Sequence, residues 1–419
     1  MVAEARGTGR GLHVLRLFDG AEWRDSMRLE VDREGRVRSL ERNRAAPGDS
    51  RFEVLIPALV DAHAHSELDP LEEEYRDRSF LDWIDGVRAS RAADRRPAGL
   101  RTKDHVRRLL ETGTLWVSDI DSEGAAGEAL LAAGIGGRVQ CELLGFDLGP
   151  EEVQEALRRG AERLPAALRG KEGRTSLPWG GTLAAGFAPH APYSVSEALF
   201  RAAAVVGGPL TVHVGETEDE LRLLEEGEGP FRRLLERLGR WPDRYRPPGR
   251  SPLACLESWG LLSPRTQVVH LHANRPGDLD ILRRSGAAPV LCPGTIRYFG
   301  RELPPLKAWL EAGLAVGLGT DSLASNEDLD MLAETAILSD LAPWLEPREI
   351  LRLATSGGGR CLAIPSAGRI RLGLPLAALA LEGAPRLDPP LLEEWIVSGR
   401  PVRRGILRGL HWDPVRPVL

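Results

Sequence analysis

Two periodicities divide the chain near residue 54. Before it, the pieces L-H-V-L-R-L-F, S-M-R-L-E-V and G-R-V-R-S-L alternate apolar with polar positions and are separated by D-G and E-G turns, a pattern that predicts short strands. From residue 54 on, short apolar runs alternate with longer amphipathic stretches rich in Ala, Leu and Arg. The apolar runs cover residues 54–65, 114–120, 139–146, 183–190, 210–216, 267–272, 288–293 and 314–322. Near-continuous apolar strands with helices between them belong to parallel sheets covered on both faces. A closed α/β barrel of the (β/α)8 TIM type buries all eight. Each run ends in His, Glu, Asp, Pro or Gly, at the strand ends where such barrels build their chemistry. After the last helical stretch the pattern returns to short strands, in I-R-L-G-L-P-L-A-A-L-A-L-E-G and G-I-L-R-G-L-H-W. The expected organisation is a catalytic barrel over residues 54–364, with residues 1–53 and 365–419 joined as one small β-sandwich domain built from both chain termini.

Residues 217–252 are the longest interruption between neighbouring strands and include W-P-D-R-Y-R-P-P-G-R. Trp241 and Tyr245 are placed either to cover a substrate at the barrel mouth or to pack outside it.

Composition narrows the class. With 419 residues, 42% hydrophobic and 28% charged, and no apolar run of transmembrane length, the chain reads as globular with no membrane partner. The first residues lack a secretory apolar core and the four cysteines form no Cys-x-x-Cys pair, so a cytoplasmic location is expected. Net charge is -6 and the arginine-rich helices carry matching acids, as in E-E-V-Q-E-A-L-R-R-G-A-E-R-L, which reads as solvated faces and no nucleic-acid partner. A small-molecule substrate and, on base rates, a homodimer are the expected partners. Lysines occur only at 103, 171 and 307, none in a strand-like run, so no lysine is placed to bridge two metal ions and one ion is expected.

Candidate chemistry starts at D-A-H-A-H-S-E, residues 61–67. His63 and His65 are two apart at a strand end, point to the same face, and can share an ion. His213 ends the fifth run and Asp321 follows the eighth, which barrel closure brings beside the first. Three imidazoles and a carboxylate suit one divalent ion, zinc first, with iron(II) or manganese(II) accepting the same donors. Asp321 can also take a proton from water activated by the ion, Glu216 is placed as a proton shuttle, and His270 can stabilise a developing oxyanion. His272 shares strand parity with His270, which is favoured on its order in the strand. His190, in A-P-H-A-P-Y, either binds a polar substrate group or closes its strand. The His-x-Glu and Pro-Cys-x-x-Cys deaminase signature, His-Glu-x-x-His, the P-loop and the Gly-x-Ser-x-Gly elbow are all absent. G-G-G-R at 357–360 reads as a helix ending or tight turn.

The pieces D-A-H-A-H, A-P-H-A-P-Y-S-V, H-V-G-E-T, V-V-H, C-P followed by R-Y-F-G, and G-L-G-T-D-S-L-A-S-N together resemble the amidohydrolase superfamily, in its deaminase and chlorohydrolase branch. The resemblance implies a metal-dependent hydrolase with His63, His65, His213 and Asp321 on the ion and Glu216 and His270 assisting. Within the branch, H-S-E-L-D, F-L-D-W-I-D, the G-E-G-P-F-R-R-L-L-E-R-L-G segment and C-P-G-T-I-R-Y-F-G look most like deaminases of adenine-bearing compounds, the aminodeoxyfutalosine deaminases of menaquinone biosynthesis and the S-adenosylhomocysteine deaminases. Expected substrate contacts are Glu67 to a ribose hydroxyl or amine, His190, Arg297 to a carboxylate, and Tyr298. The alternatives are hydrolysis of another ring on the same site, as in triazine chlorohydrolases and cyclic amide hydrolases, and, in a different class, a catalytically inactive binding protein.

Overall fold

The computed structural model describes residues 10–72, 75, 79–169, 173–384, 388–399, 402–409 and 411–414. The first strands, β1 (Arg10–Phe18), β2 (Trp23–Val31), β3 (Val37–Arg42) and β4 (Ser50–Pro57), precede β5 (Leu59–Ala64), which carries the D-A-H-A motif. Next come β6 (Thr114–Asp121), β7 (Gly136–Leu143), the short β8 (Arg174–Ser176), β9 (Thr182–Pro189), β10 (Leu210–Val214), β11 (Thr266–His270), β12 (Ala288–Leu291) and β13 (Gly317–Leu318). The chain ends with β14 (Ala377–Glu382), β15 (Val402–Arg408) and β16 (His411–Pro414).

Eight strands pair in parallel in the order β5-β6-β7-β9-β10-β11-β12-β13, so all eight apolar runs become barrel strands. The extra β8 adds antiparallel to β9 outside that path. β5, β6 and β7 are buried at every position, as strands covered by helices on one side and by the barrel interior on the other must be. The seam between first and last strands is closed at the mouth by Asp321, whose N–H donates to His63 O at 2.9 Å while His65 N–H donates to Asp321 O at 2.8 Å. Inside the barrel a polar layer crosses the core: Gln140 on β7 donates to Ser118 on β6 at 2.9 Å and to Thr211 on β10, and Ser118 donates to Gln267 on β11 at 2.8 Å. That layer ties β6, β7, β10 and β11 together across the core and fixes which faces of β7 and β10 point inward.

Both ends of the chain meet, as expected. The small β unit is one seven-stranded mixed sheet in the order β16-β15-β14-β4-β1-β2-β3, with β14 antiparallel to β4 and β1 parallel to β4. The chain passes from this sheet to the barrel at Ala58, whose N–H donates to Ala377 O, while the next N–H, of Leu59, donates to Gly113 O beside β6. Strand β4 thus carries the small sheet a few residues past 53.

The G-G-G-R stretch is a helix ending rather than a tight turn: Pro347–Arg352 continues through a π-helical Leu353–Gly357 into the final Gly358–Cys361. A Cβ on Gly358 would meet Val60 of β5 at 2.8 Å, so this glycine lets the helix lie against the first barrel strand, while one on Gly359 would meet the Ala367 carbonyl at 2.2 Å. Lys103 lies in the helix Ala98–Glu111 and Lys307 in the helix Leu306–Glu311, both outside the barrel strands; Lys171 falls outside the described residues.

Candidate metal centre and active-site cavity

His63 and His65 project from the end of β5, and His213 from β10. His213 Nε2 lies 3.2 Å from His65 Nε2 and 3.3 Å from His63 Nε2, and all three rings are buried. Two nitrogens about 2.0–2.1 Å from one ion at the tetrahedral angle are about 3.3 Å apart, so these spacings fit a shared divalent ion. Tautomers fit as well. His213 Nδ1 is 3.0 Å from the His190 carbonyl, which only an Nδ1–H can satisfy, leaving Nε2 with its lone pair toward the cluster. Burial, reinforced by the neighbouring imidazoles, holds His63 and His65 far below the usual histidine range and His213 at about 4, so all three stay neutral donors.

Asp321 supplies the fourth group. Its Oδ1 is 3.7 Å from His63 Nε2 and 3.9 Å from His65 Nε2, while Oδ2 accepts from Thr295 Oγ1 at 2.8 Å and Ser325 Oγ at 3.0 Å. One oxygen is thereby fixed and the other faces the imidazoles. Asp321 has φ +59°, and His270 and Leu271 have φ +79° and +52°, three non-glycine residues in the left-handed region at the mouth.

Glu216, just past β10, is buried; Arg301 Nη1 donates to its Oε1 at 3.1 Å and His270 Nε2 is 3.9 Å from its Oε2. Burial pushes the carboxyl up to about 7, against the Arg301 charge that lowers it. Such a group exchanges a proton near neutrality. His270, at the end of β11, is held neutral by burial, with its ring stacked 5.5 Å from that of His213. His272 is turned away: its Nδ1 pairs with the Glu302 carbonyl at 3.1 Å. The left-handed pair His270–Leu271 ends the strand alternation, so equal parity does not carry His272 to the same place.

His65, His213, Glu216, His270 and Asp321 floor a cavity of about 510 Å³, lined also by His190, Tyr193, Phe80, Trp83, Phe146 and Leu234. His190 is at the mouth, its Nδ1 2.6 Å from Ser194 Oγ. Phe80 and Trp83 stack at 5.4 Å and 13°, and the Trp83 indole N–H donates to Ala324 O at 2.8 Å. Arg88, Arg91 and Arg240 also line the cavity, each with a carboxylate neighbour: Asp85 at 3.6 Å from Arg88, Glu67 beside Arg91, and Asp147 at 3.0 Å from Arg240. From the 217–252 segment, Leu234, Leu235 and Leu238 line the cavity, whereas Trp241 and Tyr245 pack behind Phe146 at 5.9 and 5.1 Å.

Three expected substrate contacts are not brought to this cavity. The Glu67 carboxylate is fully buried, paired with Arg91 and Ser122 Oγ and accepting from the backbone N–H groups of Ser122 at 3.0 Å and Glu123 at 3.1 Å. It therefore fixes Arg91, which does reach the cavity. Arg297 is half exposed and faces Glu327 at 3.7 Å, and Tyr298 lies beside Phe299, outside the lining. Arg91, Glu142, Thr295, Arg301 and Ser325 were given no role from sequence: Thr295 and Ser325 lie within motifs whose other residues drew the assignment, and Arg91 and Arg301 lie in none.

Comparisons with known proteins agree with this geometry. Residues 54–406 match the sequence profile of the Amidohydrolase family. The chain is 32% identical over 327 residues to the aminodeoxyfutalosine deaminase of Deinococcus radiodurans, covering 73% of each chain. It is 27% identical over 365 residues to the 5-methylthioadenosine/S-adenosylhomocysteine deaminase of Thermococcus kodakarensis, covering 83% of this chain and 78% of that one. The crystal structure of Helicobacter pylori aminofutalosine deaminase in complex with methylthio-coformycin superposes with a TM-score of 0.80 at 20% identity, over 96% of this chain and 100% of that one.

Proposed function

Because the chain belongs to the amidohydrolase family, we propose that it is a metal-dependent hydrolytic deaminase of an adenine-bearing nucleoside with an acidic arm, of the aminodeoxyfutalosine type. The observation that carries the reaction is the convergence of three neutral, buried imidazole Nε2 atoms and the Asp321 carboxylate beside Glu216 and His270. The named substrates of both relatives support the ring. The acidic arm is supported by the three guanidinium groups lining the cavity, a role expected earlier of Arg297.

His63, His65, His213 and Asp321 would hold one ion, with zinc suggested by the donor set; a divalent ion there lowers the pKa of water toward neutrality. Asp321 Oδ1 takes a proton from the attacking water, its other oxygen being occupied by Thr295 and Ser325. Glu216 carries a proton to the ring nitrogen beside the reacting carbon, and its charge afterwards is stabilised by Arg301. His270 faces the developing oxyanion from the side opposite Asp321. Phe80 and Trp83 offer a flat apolar wall to the purine. Water and the amine are consumed, and the oxo-purine and ammonia leave. The four unpaired, buried cysteines accord with a cytoplasmic setting.

Ammonia release and loss of the adenine absorbance, measured with aminodeoxyfutalosine, S-adenosylhomocysteine, methylthioadenosine and adenosine, test the reading. Deamination is expected, with the acid-bearing compounds ahead of adenosine by about tenfold or more in kcat/KM. Ammonia from none of them, or chloride release from a triazine instead, overturns it.

A further inference from the structure

One carboxylate at the cavity feels the charges of Arg91 and Arg163 but has no side-chain hydrogen-bond donor among the described residues. Glu142 is 8% exposed, lines the cavity, and accepts no side-chain hydrogen bond from any described residue. Burying a charge without donors is expensive, so a donor-bearing group is expected to meet it when the cavity fills. Its direction is fixed by the barrel. Gln140, two residues earlier on β7, sits in the internal polar layer with Thr211 of β10, and the period of two sends Glu142 and His213 into the next layer, at the mouth. β7 neighbours β9, whose end carries His190, and β9 neighbours β10. Glu142 is thus inside the mouth, in the same layer as a metal-cluster histidine and two strands away from it.

We propose that Glu142 recognises the sugar of the substrate, its two oxygens accepting the two O–H groups of a vicinal diol. This rests on the nucleoside reading given above. An adenine nucleoside presents two adjacent hydroxyl donors on its ribose, and one carboxylate accepts both. The ring-facing wall of Phe80 and Trp83 is apolar, and the guanidinium groups lining the cavity repel a second cation, which leaves hydroxyls as the matching donors. Glu67, the residue expected from sequence to meet the ribose, is saturated by Arg91, Ser122 and Glu123 and has no acceptor capacity directed at the cavity.

The test is the ratio of kcat/KM for an adenine ribonucleoside over its 2′,3′-dideoxy analogue, measured on the metal-loaded full chain and on Glu142→Gln. The ratio is internal to each preparation, so a smaller folded fraction cancels. The wild-type ratio is expected at about tenfold to a hundredfold, falling to within about threefold of unity in the variant. A wild-type ratio near one, or a ratio that survives in Glu142→Gln, overturns the assignment while leaving deamination in place. If neither nucleoside nor any other adenine compound is deaminated by the wild-type protein, the assignment and the nucleoside reading fall together.

Discussion

Burial and the Arg301 guanidinium pull the Glu216 carboxyl in opposite directions, and burial prevails. Raised to about 7, the group keeps its proton up to near neutrality, so kcat/KM falls as pH rises through its pKa. A bound cation pulls the same carboxyl down, so the limb of the loaded protein lies at or below that pH. Removing Arg301 takes away a lowering influence, and pH profiles of Arg301→Ala are expected to show the limb at higher pH than wild type. An unmoved limb contradicts Glu216 as the titrating group. Glu216→Gln should lose roughly 10²–10⁴ in kcat while retaining its metal, measured by turnover and metal analysis together. At this scale, legibility follows side-chain direction. His63, His213 and His270 sit on strands and His65, Glu216 and Asp321 just past strand ends, and the structure brings all six together. Glu67 lies beyond the last strand residue, where the period of two no longer says which way a side chain points, and it turns toward Arg91. Glu142 carried a usable signal, a polar pair Gln140 and Glu142 at strand spacing inside an apolar run.

The barrel strands were the most legible elements, because a buried parallel strand shows as a short apolar run whatever its partners. β8 was missed because three residues, alternately exposed and half-buried, leave no such run. Of the two readings of the glycine tract the helix ending holds and the tight turn does not; a helix pressed against a strand and a tight turn both demand glycine, and sequence alone does not separate them. The seam between β5 and β13 depends on Asp61, whose buried carboxylate accepts from the N–H groups of His63 and Thr320, both at 3.1 Å, and from Thr320 Oγ1 at 2.6 Å. Asp61→Ala leaves these three donors without that partner and should destabilise the fold by about 1–3 kcal/mol in urea titrations. Because the seam joins His63 and His65 to Asp321, metal affinity should fall about 10–100-fold in the same variant, read by chelator competition. A variant with wild-type metal affinity contradicts the seam as the support of the site.

At the scale of the molecule, the small sheet is held by β14 between β4 and β15, so neither end of the chain completes it alone. Ending the chain after residue 364 removes β14 and bares β4, which leads into the metal-bearing β5, and such a truncated chain is expected to be insoluble or molten by near-ultraviolet circular dichroism. The meeting of the two ends was legible because both read as short strands flanking a barrel pattern; the strand order was not, since β1 pairs in parallel with β4 and alternation does not encode which edge a strand takes. Among the described residues no helix is long and apolar enough to cross a membrane. The proposed hydrolysis rests on one ion held by four residues. The most direct measurement is the deamination rate of chelator-stripped protein against added equivalents of zinc, with the best adenine nucleoside found. The rate should start near zero, rise linearly to one equivalent per chain and then stay flat, and His213→Ala should not respond; full activity in stripped protein, or a rise continuing to two equivalents, would contradict it.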